Sequence, residues 1–269
     1  MRNDLYTITT LSNLHVGSGD INFDIIDNQV QRDAITKLPV IHSSSLKGAF
    51  REASKGGQYI KYIFGPENTG NDSHETGAFH FFEASLLARP VRSNKKSYYM
   101  ATSVGVIKVF LNTLEDFGIV FDETLKRALE DLSREPVKAG KPSIFEKTDG
   151  VILEDFPAQQ SGLDVSALHD FMGTDLALFD DEDFKELSLP VIARNVLKDG
   201  ISVNLWYEEV VPKKSKFYFI IAKPTNLDQA DKKENLDDFE KRFDQTNHIQ
   251  FGANKSIGYG YSRLEKVSL

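Results

Sequence analysis

The stretch LYTITTLSNLHVGSG, residues 5–19, opens as a strand and closes as a loop. Leu5, Thr7, Thr9 and Leu11 fall on one side of a period-two pattern, with Tyr6 and Ile8 on the other. Gly17 and Gly19 then end the strand and free the backbone to turn. The next residues carry Asp20, Asp24, Asp27 and Asp33 against Arg32, and IIDNQVQRD (25–33) predicts a short second extended segment that closes the loop. At SSSLKGAFREAS (43–54) the period changes. Leu46, Ala49, Phe50 and Ala53 recur at i, i+3, i+4 and i+7 behind serines able to cap, which predicts a helix. Strand, acid-bearing loop and helix thus follow one another within the first fifty-odd residues.

Further on, FGPENTGNDSHETG (64–77) has loop composition, and AFHFFEASLLA (78–88) is strand-like again. Helices are predicted near 105–117 and, behind Asp122, over 122–132. From 133 to 189 the pattern is broken and acidic, which reads as an insertion with short helices. VIARNVLKDGISVNLWYEEVV (191–211) predicts a β-hairpin about the turn KDG. The strand KFYFIIAK (216–223), a helix carrying Leu236, Phe239 and Phe243, and the glycine-rich IQFGANKSIGYGYSRLEKV (249–267) complete the order. The sum is an α+β layer architecture like that of the ferredoxin and RRM folds. It is read as one domain over 1–269, with an acidic insertion at 115–190 and a protruding hairpin at 190–212.

The net charge of −8 opposes a polyanionic partner only if it is spread evenly. It is not. Residues 1–114 and 191–269 each carry +2, and residues 115–190 carry −12, so a surface built from the outer thirds can still be locally basic. The absence of cysteine excludes disulfides and thiolate metal sites. The N-terminus lacks a signal-peptide pattern and no apolar run approaches about 18 residues, which predicts a cytoplasmic address without membrane contact.

Six motifs in this order resemble one family. They are HVGSG…D-x-x-V-Q-R (15–32), SSSLKGAFR (43–51), IFGPE (63–67), RPVRS (89–93), LWYEEVVP (205–212) and IQFGANKSIGYGY (249–261). Together they resemble the repeated backbone subunit of type III-B CRISPR effectors, the Cmr-complex members of the RAMP superfamily. The resemblance implies an RRM-like palm with an inserted helical region and a β-hairpin thumb. It implies copies of the chain stacked on a guide RNA beside other effector subunits, and cleavage of complementary target RNA at regular intervals. It also implies a divalent metal, Mg²⁺ or Mn²⁺, at a loop aspartate. The D-x-x-V-Q-R register makes that residue Asp27, with Asp24 the competing acid because the loop is a residue longer than the family pattern.

The residues themselves admit both functional and structural readings. A loop carboxylate such as Asp27 can activate a ribose hydroxyl or hold a hydrated metal ion, and it is equally a turn former. His15 can orient a phosphate or serve the strand end as a hydrogen-bonding group. Ser44, Ser45 and Lys47 at a helix start make a phosphate site, and Arg51 extends it at i+4; plain capping is the alternative. Gly252, Gly258 and Gly260 around Lys255 let a backbone approach an anion, or simply turn it. Arg194, Asn195 and Lys198 on the hairpin, with Arg32, are candidate RNA contacts. Trp206 and Tyr207 read as core; Glu208 and Glu209 read as facing either the nucleotide path or solvent. Two rival functions stand beside guided cleavage: a scaffold with inert loop acids, and a metal-free guide-processing ribonuclease using His15.

Overall fold

The computed structural model describes residues 1–19, 26–66, 76–226, 230–244 and 247–267. Asp20 and Asp24 lie outside the described residues, as does most of the 64–77 loop. The first strand, β1 (Arg2–Thr10), leads to β2 (Val40–Ile41), α1 (Ser43–Ala53) and α2 (Ile60–Phe64). Next come β3 (His80–Phe81), β4 (Ala84–Val91), β5 (Tyr99–Ser103), α3 (Val104–Asp116) and α4 (Glu123–Arg134). The acidic block forms β6 (Ser143–Ile144), β7 (Ile152–Leu153), β8 (Phe156–Pro157), β9 (Gln159–Gln160), α5 (His169–Met172), β10 (Leu176–Phe179) and α6 (Asp181–Glu186). The chain ends with β11 (Val191–Lys198), β12 (Ile201–Glu209), β13 (Lys216–Lys223), α7 (Ala230–Phe243), β14 (Asn247–Gln250) and β15 (Tyr261–Lys266).

Eleven strands form one mixed sheet in the order β14-β15-β1-β13-β4-β5-β10-β6-β9, with β2 on β4 and β3 on β13. β1 is antiparallel to both neighbours, pairing Tyr6 with Phe219 and Ile8 with Leu264. Seven consecutive residues of β1, from Asp4 to Thr10, are buried, so its Thr7 and Thr9 side is covered as fully as its Tyr6 and Ile8 side. The acidic block is what extends the sheet: β10 joins it parallel to β5, and Leu176, Ala177, Leu178 and Phe179 are all buried.

On one face an aromatic cluster fixes the elements that carry the site. Phe50 of α1 lies 5.5 Å from Phe81, 5.8 Å from Phe219, 5.0 Å from Phe243 and 6.3 Å from Phe251, measured between ring centroids. Burying each such ring stabilises by about 1.5–3 kcal/mol, and here one residue ties α1 to the sheet, α7 and the last loop. The predicted cap of α4 is present, Asp122 accepting the amide of Leu125, and Ser103 caps α3 by accepting that of Val106. α1 differs. Its N-cap is His42, with no side-chain cap bond, and its serines are the first helical residues rather than the cap.

The hairpin β11–β12 stands as a separate two-stranded sheet. Asp199 (φ 53°) and Gly200 (φ 80°) both adopt the left-handed region that a tight two-residue hairpin turn requires. Val196, Leu197, Ile201, Val203 and Leu205 are exposed along it.

Candidate active site

Asp27 lies where the first loop meets the root of the hairpin. One carboxylate oxygen accepts the backbone N–H of Tyr207 at 2.7 Å, and the side chain is exposed. Around it the loop adds a strand-like edge to β12: Asn28 N–H donates to the Tyr207 carbonyl at 3.1 Å, and Glu209 N–H donates to the Asn28 carbonyl at 2.9 Å. Asp27 is therefore held by ladder bonds on its C-terminal side.

Glu208 and Glu209 face neither solvent nor an open path; they are 4% and 5% exposed. Burying two adjacent carboxylates is tolerable only when each is paired. Glu209 accepts Val30 N–H at 3.1 Å and Arg32 at 2.5 Å. Glu208 accepts Arg194 Nε at 2.9 Å and Asn254 at 2.8 and 3.0 Å. Arg194 also lies 4.5 Å over the ring of Tyr259. The pair thus connects hairpin, first loop and glycine loop. Conversely, Trp206 and Tyr207, read as core, are half-buried and exposed.

His15 is enclosed. Its Nδ1 lies 2.7 Å from the Glu209 carbonyl, which can only accept, so Nδ1 carries the proton, and Nε2 sits 3.7 Å from Glu208. At 5% exposure the ring has no edge for a phosphate or for acid–base work. It joins the first loop to the hairpin root.

Gln31, which the sequence reading passed over, organises the neighbouring surface. It donates to the Gly17 carbonyl at 3.2 Å and to Ser45 Oγ at 3.0 Å, and its oxygen accepts His42 N–H at 2.8 Å. Only the D-x-x-V-Q-R register could have marked it, since a lone glutamine has no periodic signal.

The helix and glycine loop divide into open and occupied positions. Ser44 and Lys255 are exposed, and Ser45 and Lys47 are half-buried. A Cβ at Gly48 or Gly258 would meet nothing within 4 Å. The Lys55 hydrogen bond first, and the Lys255 charge more weakly, hold the Glu52 carboxyl below its ordinary range, so the glycine loop lies beside α1. Arg51, in contrast, turns inward to the carbonyls of Gly65 and Pro66 at 3.2 and 3.4 Å, closing the end of α2. Gly252 and Gly260 also serve the chain itself: added Cβ atoms would lie 2.2 Å from the His15 carbonyl oxygen and 1.8 Å from that of Phe251. Arg51, Gly252 and Gly260 thus each have a role within the chain itself.

Among the described residues, one trio of carboxylates is close enough to hold a metal ion: Asp4, Glu240 and Asp244. The Lys223 ammonium already occupies it, at 2.8 Å from Asp4, 3.2 Å from Glu240 and 3.3 Å from Asp244, with Lys266 3.2 Å from Asp4. Asp27 stands outside that trio. It offers one exposed carboxylate, which suits Mg²⁺ or Mn²⁺ because such ions are held by one or two carboxylates plus substrate phosphates and water.

A mixed sheet, a phenylalanine-anchored helix beside a glycine loop, and an acid at the foot of a hairpin define the class. The chain belongs to the RAMP superfamily, whose family model matches residues 7–263. Within that class it is 28% identical to the CRISPR system Cmr endoribonuclease Cmr4 of Pyrococcus furiosus, across 98% of this chain and 95% of that one. Its fold is similar to a chain in the cryo-EM structure of the type III-B Cmr-beta bound to cognate target RNA. The TM-score is 0.79 and the identity 21%, over 99% of this chain and 98% of that chain. It is likewise similar to oligomeric Cmr4 from Pyrococcus furiosus, with TM-score 0.70 and 23% identity over 100% and 99%. Among the described residues, no helix is long and apolar enough to cross a membrane.

Proposed function

We propose that this chain is the repeated, target-RNA-cleaving backbone subunit of a type III-B CRISPR effector, working in the cytoplasm with other copies of itself and other effector subunits. The observation that carries the reading is Asp27, an exposed carboxylate fixed by the Tyr207 amide at the hairpin foot, in a chain similar over nearly its whole length to an endoribonuclease. The hairpin would act as the thumb on an RRM-like palm, displacing a nucleotide of the guide–target duplex beside Asp27. Lys47, Ser44, Ser45, Lys255 and Gly258 would hold the guide backbone, a phosphate grip without base readout.

In this reading the displaced nucleotide is bent so that its 2′-oxygen lies in line with phosphorus and the departing 5′-oxygen. Asp27 takes the 2′-hydroxyl proton as the O2′–P bond forms and the P–O5′ bond breaks. The leaving oxygen is protonated from water, giving a 2′,3′-cyclic phosphate and a 5′-hydroxyl. Mg²⁺ or Mn²⁺ held by Asp27 and substrate phosphates would supply charge stabilisation at the phosphoryl oxygens. Arg32 and Arg194, bound to Glu209 and Glu208, would act mainly by holding loop and hairpin in register.

Asp27→Ala in the assembled complex tests this directly. Loss of evenly spaced target fragments with unchanged RNA retention supports the enzyme; an intact fragment ladder refutes it. A scaffold with inert acids predicts no cutting by the unsubstituted assembly. The enclosed ring of His15 opposes the metal-free processing alternative.

A further inference from the structure

A cavity of about 490 Å³ opens beneath the hairpin root, away from Asp27, where β4, the acidic block and Pro212 meet. Arg89 lines it. This arginine is 4% exposed, yet among the described residues its side chain makes one hydrogen bond, from Nη2 to the Leu187 carbonyl at 2.7 Å, and no carboxylate ion pair. Its other near neighbour is the ring of Phe184, 5.9 Å from the guanidinium carbon. The contrast with other buried charges is sharp: Lys223, Glu208 and Glu209 each have opposite charges in contact. Burial pulls the Arg89 guanidinium down to about 10; the charges of Glu154 and Glu209 oppose that fall from a distance, and neither is in ion-pair contact with it.

A buried, unpaired guanidinium opposes folding unless an anion completes it, and its planar fork suits a carboxylate. The rim narrows the choice of anion. Glu154 is satisfied by Arg92 at 2.6 Å, but Asp155 and Glu186 are exposed acids at the mouth. They repel a phosphate polymer and favour a ligand that carries a cationic group beside its anion.

We propose that this cavity is a carboxylate-binding site, in which Arg89 receives the carboxylate of a zwitterionic group while Asp155 and Glu186 receive its cationic part. Two sources share that chemistry: a free amino acid, and an acidic side chain next to a basic one on a second copy of this chain. The proposal stands apart from the cleavage reading, since it involves neither Asp27 nor RNA.

Thermal unfolding of the full chain with sodium glutamate, and separately with sodium phosphate at matched ionic strength, tests it beside Arg89→Met and Arg89→Lys. Glutamate in large excess should raise the Tm of the unsubstituted chain by about 2 °C or more. Phosphate should give no such rise, and Arg89→Met should abolish the glutamate effect while folding at least as stably without ligand. If the source is a second copy, sedimentation should show self-association that Arg89→Met weakens at least severalfold, whether or not free glutamate raises the Tm. Two results overturn the proposal: phosphate matching glutamate, or neither a glutamate shift nor an Arg89-dependent association.

Discussion

Asp27 accepts the amide of Tyr207 at 2.7 Å across 180 residues of sequence. That one bond seats the candidate catalytic acid on the foot of the hairpin, so whatever the hairpin grips is delivered to the same place. Asp27→Asn keeps the shape and removes the charge. It should lower target cleavage by roughly 10²–10⁴-fold, the range expected for a lost acid–base group, while guide and target RNA still co-purify. Gel analysis of fragment spacing and bound RNA checks both parts.

Glu209→Gln should loosen the seat without touching the acid. Glu209 holds Val30 and Arg32, and Arg32 is about a third exposed, so solvent screening reduces the cost below that of a fully buried pair. A loss of about 1–3 kcal/mol in urea unfolding is expected. Cleavage should fall less than in Asp27→Asn.

Lys47→Ala and Lys255→Ala should each reduce the slope of log affinity against log salt by about one, uniformly over RNA sequences. Arg51→Ala should leave that slope alone. Its guanidinium serves the carbonyls of Gly65 and Pro66, and losing it should cost about 1–2 kcal/mol of stability. Filter binding at several salt concentrations, with a parallel melt, separates the two behaviours.

Stability should fall in acid through Asp4. Burial pushes its carboxyl up, but Lys223, Lys266 and Arg2 outweigh burial and hold it below its ordinary value near 3.8. A carboxyl depressed in the folded state contributes stability that is fully present above the unfolded pKa and is lost as pH falls through the folded one. The urea midpoint should be nearly flat from about pH 8 to 5 and drop below about pH 4, and Asp4→Asn should flatten the drop.

Phe50→Ala should cost about 3–5 kcal/mol, because one ring packs against five others and its loss leaves a cavity among them. Since Phe50 also carries the helix that bears Lys47, guide retention should fall with stability.

Local patterns in the chain were legible because they depend on neighbours a few residues away. The alternation of β1, the i, i+3, i+4 apolar face of α1, the Asp122 cap of α4 and the left-handed turn at Asp199 and Gly200 all follow from backbone geometry. The ordered motifs also pointed to the RAMP superfamily and to Asp27 as the acid to test. Pairing across long separations was not legible. Nothing in EE at 208–209 tells that both acids are buried, because that depends on Arg194, Arg32 and Asn254 arriving from three other segments. Nor does an acidic composition reveal that Leu176–Phe179 joins the sheet beside β5.

By itself, then, the order of residues determined most element types outside 133–189, the helix faces and the family, since these are written in spacing and turn chemistry; the short strands of that block, read as an insertion with short helices, were not legible. Only the tertiary structure decided which charges are free to meet a ligand. It seated His15 and Arg51 against their own chain, left Lys47 and Lys255 accessible, and set Arg89 beside a cavity with no carboxylate in ion-pair contact among the described residues. The physical reason is that a charge's role depends on what desolvates and pairs it, and those partners come from distant parts of the sequence.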